Sequence, residues 1–113
     1  MTEWVALCPL EDIPRLGART LTTPRGNIGL FRTNDDRVFA LADRCPHRGG
    51  PLSQGIVHGH FVTCPLHDWT IDLVTGKAKP PDEGCTKSYP VRIEQGTILI
   101  PREFVNVEAA EVP

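Results

Sequence analysis

The sequence predicts a mainly β protein, a small antiparallel sandwich or barrel. Three observations carry that expectation: short apolar or alternating runs separated by turn residues, hairpin signals towards both ends of the chain, and the lack of any amphipathic helical stretch of useful length.

Taken in order, Trp4 to Leu7 is a short apolar run that reads as a strand. Pro9-Leu10-Glu11-Asp12-Ile13-Pro14 reads as a turn or a single helical turn, because proline removes a backbone donor and forbids a long helix. Arg19 to Thr23 and Asn27 to Thr33 flank Pro24-Arg25-Gly26, and the polar turn Asn34-Asp35-Asp36-Arg37 leads into Val38-Phe39-Ala40-Leu41, so this part predicts a hairpin meander. Gly55-Ile56-Val57 and His60-Phe61-Val62-Thr63 straddle His58-Gly59, whose glycine can supply the positive φ of a tight turn. Val91 to Glu94 and Thr97 to Ile100 alternate about Gln95-Gly96, another hairpin signal. Glu103 to Pro113 reads as a frayed tail.

The 113 residues suffice for one domain with a modest core and leave little room for a large active-site cavity. Twelve basic and fourteen acidic residues leave a formal charge of -2, and no lysine or arginine run suggests nucleic acid or anionic lipid. Met1 to Leu10 lacks the basic flank and apolar core of an export signal, and no stretch approaches the roughly eighteen apolar residues of a membrane span. The expectation is a soluble cytoplasmic protein with no nucleic acid or membrane partner.

Two patches carry the chemistry: Cys45-Pro46-His47 and Cys64-Pro65-Leu66-His67, with sixteen residues between one pair and the next. Each offers a soft thiolate and a borderline imidazole, so two loops can give both thiolates, Cys45 and Cys64, to one iron and both imidazoles, His47 and His67, to another. The intervening hairpin returns the chain to its starting end, which brings the two loops together. Pro46 and Pro65 stiffen them, and Gly49 and Gly50 allow backbone conformations that aim amides at sulfur. A structural zinc site is the competing occupant, since two cysteines and two histidines also satisfy tetrahedral zinc. The spacing favours the cluster, because zinc fingers group their cysteines in one element and their histidines in another. No oxyanion-hole or third-residue signature accompanies the pairs, so no catalytic residue is assigned.

The remaining candidates are weaker. His58 and His60 flank Gly59 in an expected surface turn and are left out of the site. Cys8 and Cys85 remain as free thiols in a reducing compartment, Cys85 behind the stiff loop Lys79 to Gly84 that can cover the cluster. Trp69 reads equally as a shield for the cluster or as a core aromatic.

With these residues in view, the chain resembles the small subunit of assimilatory NAD(P)H-dependent nitrite reductase, a branch of the Rieske 2Fe-2S proteins, over roughly residues 4 to 101. The resemblance rests on Cys45-Pro46-His47-Arg48-Gly49-Gly50-Pro51-Leu52-Ser53-Gln54-Gly55, on Cys64-Pro65-Leu66-His67-Asp68-Trp69 and on Asp72-Leu73-Val74-Thr75-Gly76-Lys77-Ala78. It implies a Rieske-type antiparallel sandwich or barrel with a cluster-binding subdomain of two loops, about residues 43-84 of a single domain 1-103, followed by a tail 104-113. It also implies a Rieske 2Fe-2S cofactor and a large nitrite reductase subunit as partner, carrying flavin, siroheme and an iron-sulfur cluster, which together reduce nitrite to ammonium. Freestanding Rieske ferredoxins of aromatic-ring dioxygenases share the ligand pattern, and a non-redox structural metal module is a further reading.

Respiratory and photosynthetic Rieske proteins bridge the ligand loops by a disulfide, where this chain has Gly50 and Leu66. They also place hydroxyl residues two and four positions after the second histidine, where this chain has Trp69 and Ile71. Fewer donors stabilise the reduced cluster less, so the expected potential lies towards the lower end of the Rieske range of about -150 to +300 mV.

Overall fold

The computed structural model describes residues 3-23, 26-46, 49-65, 69-80 and 82-105. The strands are β1 (Trp4–Pro9), β2 (Gly17–Thr23), β3 (Gly26–Arg32), β4 (Val38–Ala42), β5 (Ile56–His58), β6 (Phe61–Thr63), β7 (Thr70–Asp72), β8 (Ser88–Tyr89), β9 (Arg92–Glu94) and β10 (Thr97–Pro101). One short helix, α1 (Arg102–Val105), follows, and single 3-10 turns form at Leu10–Asp12 and Leu52–Gln54.

The strands make three sheets, in the orders β1-β10-β9, β2-β3-β4-β8 and β5-β6-β7. All their pairings are antiparallel, as the sequence predicts. Side chains alternate across a strand, so β3 and β4 can serve two cores at once. Ile28, Leu30, Val38 and Ala40 pack with Ile98 and Ile100 of the first sheet. Phe31 and Leu41 point the other way and pack with Val57, Val62 and Ile71 of the third. The four-stranded sheet is therefore the middle layer, which is why β3 reads as a nearly continuous apolar run rather than a clean alternation. Gly29 makes room on this face: a Cβ there would lie 2.8 Å from the Phe31 ring.

The hairpin turns follow local chemistry. Gln95 and Gly96 both take positive φ, 52° and 75°, the conformation a two-residue hairpin link requires, and Thr97 pairs with Glu94 across it. The ligand-side hairpin differs from expectation by one residue. His58 pairs with Phe61, so the link is Gly59-His60 and His58 belongs to β5. The reason is register: only this pairing sets Val57 opposite Val62, and both point into the core.

Three further differences are visible. Strands β7 and β8 were not expected, and β1 runs on to Pro9 through a register shift between Ala6 and Cys8. Glu103 to Val105, expected to begin a frayed tail, form α1 instead, and the Phe104 ring meets Tyr89 edge-on at 5.0 Å. The expected tail beyond Val105 lies outside the described residues. Among the described residues no helix is long and apolar enough to cross a membrane.

Chain entry to and exit from the ligand-bearing segment are neighbours. The chain leaves the middle sheet at the end of β4 and returns on β8, which pairs with β4 through Ala40–Tyr89 and Leu41–Ser88. The Ala42 amide adds a hydrogen bond to the Lys87 carbonyl at 2.8 Å.

Candidate metal centre

The third sheet is built around one cross-strand row. Val57 pairs with Val62 and Val62 with Ile71, and all three are buried. On the opposite face the Thr63 hydroxyl meets the Thr70 hydroxyl at 3.2 Å and the His58 Nε2 at 2.8 Å, a polar row facing outwards. This small sheet fixes the two loops that flank it, one before β5 and one between β6 and β7.

Both loops close in the same way. The Cys45 amide donates to the Gly50 carbonyl at 2.7 Å, and the Cys64 amide donates to the Trp69 carbonyl, also at 2.7 Å. Each cysteine thus ties itself to the residue five positions on. The Gly49 amide donates to the Cys45 carbonyl at 2.8 Å, with Gly49 at a φ of 72°. The positive φ that glycine permits is thus used in the turn, where the Gly49 amide satisfies a carbonyl.

Cys45 and Cys64 are 3% and 1% exposed and belong to one apolar cluster with Leu52, Val57, Val62, Ile71 and Leu73. Neither forms a disulfide. His47 and His67 lie outside the described residues, as do Arg48, Leu66 and Asp68. His60 Nε2 stands 3.9 Å from Asp72 Oδ2, and among the described residues no metal-holding cluster forms around it or His58.

Gly84 lies against both ligand loops. A Cβ on Gly84 would come 3.1 Å from Pro46 and 3.5 Å from the Trp69 ring. Trp69 is half-buried and packs against the apolar cluster that contains both cysteines, as the core-aromatic reading expects. Cys85 is exposed and lines, with Arg44, Cys45, Pro46 and Lys87, a cleft of about 460 Å³. Cys8 is buried in β1, and burial pushes its thiol pKa up, with Arg19 drawing it back in part.

Sequence reasoning missed Asp43. This carboxylate, two residues before Cys45, is 8% exposed and accepts from the Ser53 amide at 2.7 Å and the Ser53 hydroxyl at 2.6 Å. The two anchor points lie on either side of the first loop. The only signal available was an acid just before the ligand and a hydroxyl residue at the loop's far end.

Cys45 and Cys64, buried and in no disulfide, stand where two loops of a three-sheet β protein close in the same way, and their donor chemistry fits the thiolate half of a mixed-ligand cluster in a small iron-sulfur electron-transfer protein. The chain belongs to the Rieske 2Fe-2S domain family, whose profile matches residues 3–90, and its cofactor is a Rieske-type 2Fe-2S cluster. It is 39% identical, over 97 residues, to the 3-phenylpropionate/cinnamic acid dioxygenase ferredoxin subunit of Photorhabdus laumondii, covering 83% of this chain and 90% of that one. It is 32% identical over 107 residues to the chloroplastic protein TIC 55 of Pisum sativum, covering 87% of this chain but spanning only 19% of that longer protein. Among solved structures, a proposed NADPH nitrite reductase small subunit superposes with a TM-score of 0.77 at 26% identity, over 87% of this chain and 97% of that one.

Proposed function

We propose that the chain is the Rieske electron-transfer small subunit of an NAD(P)H-dependent nitrite reductase, acting in the cytoplasm with a large subunit that carries flavin, siroheme and an iron-sulfur cluster. Cys45 and Cys64 hold one iron as thiolates, and His47 and His67 hold the other. When bound, the cluster supplies one-electron chemistry, passing between a formally neutral and a singly negative state. The chain supplies no catalytic residue of its own.

The observation that carries the cluster assignment is the pair of buried cysteines on loops closed by the same hydrogen bond. The surrounding side chains define how such a site works. Leu52, Val57, Val62 and Leu73 keep water from the sulfur side, and Gly84 packs on Pro46 and Trp69. The stretch from Cys45 to Gly55, on which the nitrite reductase resemblance rests, acts as one unit. Gly50 accepts the closing bond, Leu52 is fully buried and Ser53 holds Asp43. The 26% identical solved structure supports the same partner.

A second reading, a freestanding ferredoxin that serves an aromatic-ring dioxygenase, is favoured by the 39% identity to a dioxygenase ferredoxin over 90% of its length. Anaerobic purification from the native host separates the two. Co-elution with a large siroheme protein, and loss of its nitrite turnover on Cys45→Ser, are the expected results. Reduction by a separate reductase and transfer to an oxygenase refutes the nitrite reductase reading. A colourless zinc-loaded protein without the spin-resonance signal of mixed nitrogen and sulfur ligation refutes both.

A further inference from the structure

Among the described residues Asp43 is the one buried formal charge; the other buried polar side chains are Thr23 and Thr33. Its carboxylate accepts from the Ser53 amide and hydroxyl, and the Thr20 hydroxyl donates to Ser53 Oγ at 3.0 Å while lying 3.4 Å from Asp43 Oδ2. Among the described residues no lysine, arginine or histidine lies within ion-pair distance of it. Among the described residues, this charge taken out of water is met by neutral donors alone.

That arrangement is costly, because desolvating a carboxylate is unfavourable unless strong partners replace the water. An asparagine would fit the same partners without the charge: its carbonyl would accept from the Ser53 amide, and its NH2 would donate to the Ser53 oxygen. The clamp alone therefore does not account for an acid here. A fixed negative charge two residues from an iron ligand, screened little because it is buried, opposes the arrival of an electron at the metal.

We propose that Asp43 is a positioning residue for the metal centre whose carboxylate ties the two ends of the Cys45 loop together through Ser53 and whose charge, paired with no cation among the described residues, holds the reduction potential down. The inference rests on Cys45 being an iron ligand, as argued above.

The test uses the full chain, loaded with its cluster under anaerobic conditions. Asp43→Asn keeps the clamp and removes the charge, and its potential rises by a roughly tenfold change in the reduced-to-oxidised ratio, about 59 mV for one electron. Thr20→Lys, at an exposed position, keeps Asp43 and places a cation beside it, and its potential also rises. Ser53→Ala keeps the charge and removes a clamp donor, so its cluster is lost several-fold faster in air while its potential does not rise. A wild-type potential in either charge variant that retains its cluster overturns the tuning role, and a wild-type loss rate in Ser53→Ala overturns the clamp. A Cys45→Ser variant that keeps the wild-type spin-resonance spectrum overturns the ligand assignment and this inference with it. An intact wild-type signal with unmoved potentials overturns this inference alone.

Discussion

The peptide carbonyl of Trp69 accepts the amide of Cys64 at 2.7 Å, so the residue whose ring packs on the buried cysteine cluster also latches a ligand loop through its backbone. Ring and latch can be separated by mutation. Trp69→Ala leaves the hydrogen bond available but empties the space beside Gly84 and the buried cluster. Because the ring is half-buried, the expected cost is about 2–3 kcal/mol, below the 3–5 of a fully buried aromatic. Trp69→Phe costs less than half of that. Urea unfolding gives the stability loss, and the decay of visible absorbance in air gives the accompanying loss of cluster protection.

Two glycines of the ligand hairpin respond in opposite ways to a methyl group. A Cβ on Gly55 would stand 2.2 Å from the Thr63 carbonyl oxygen, a backbone atom that cannot move without breaking the β5–β6 pairing. Gly59 has a φ of 56° and nothing within 4 Å of its Cβ position. Gly55→Ala is therefore expected to cost more than about 3 kcal/mol, and Gly59→Ala about 1 kcal/mol from backbone strain alone. Equal melting temperatures for the two variants would contradict this geometry.

The four cysteines should differ in reactivity towards iodoacetamide. In the loaded protein Cys85 is exposed, Cys45 and Cys64 are buried, and Cys8 is both buried and raised in pKa by that burial, which lowers its thiolate fraction near neutral pH. Mass spectrometry after brief labelling is expected to find a single adduct, on Cys85, and four after denaturation. Rapid labelling of Cys8 would refute its placement inside β1.

Acid sensitivity has a named contributor in the turn before β4. Hydrogen bonds from the Arg15 guanidinium, and then from Arg32, hold the Asp36 carboxyl well below the usual carboxylate range. A depressed carboxylate pKa means that the unfolded chain binds its proton first. The stability is present above the unfolded pKa of about 4 and is lost as pH falls below it towards the native value. Asp36→Asn should flatten the acid limb of a stability–pH curve while leaving its neutral slope unchanged. Added salt weakens the effect, because the pair is exposed.

The positions two and four after the second histidine carry no hydroxyl. Ile71 is fully buried against the core, and the nearby Thr70 hydroxyl is turned to Thr63 at 3.2 Å. The expected potential stays in the lower part of the Rieske range of about -150 to +300 mV. A redox titration with a midpoint well above zero would refute it.

How far the chain could be read without coordinates depended on the range of the interaction. The Gln95-Gly96 turn was legible because Gly96 is suited to positive φ between two apolar runs, and the β2–β3–β4 meander because each strand holds enough residues to show its apolar content. Strands β7 and β8 were not, since three and two residues are too few for a period to show and neither adjoins a two-residue hairpin turn as β5, β6 and β9 do. The helix at Arg102–Val105 depends on Phe104 finding Tyr89, a contact between segments no local pattern links. At the metal centre the cysteines were legible from ligand chemistry. The Asp43–Ser53 clamp was not, because it exists only once the loop has returned on itself.

The adjacency of β4 and β8 has a consequence for inheritance. Everything between Ala42 and Lys87 begins and ends one strand spacing apart, about 4.8 Å, on partners already hydrogen-bonded to each other. The metal-bearing segment is therefore a cassette. A short turn from Ala42 to Lys87 would close the frame left without it, but would uncover Phe31 and Leu41, so any exchanged segment must bring an apolar face for those two side chains.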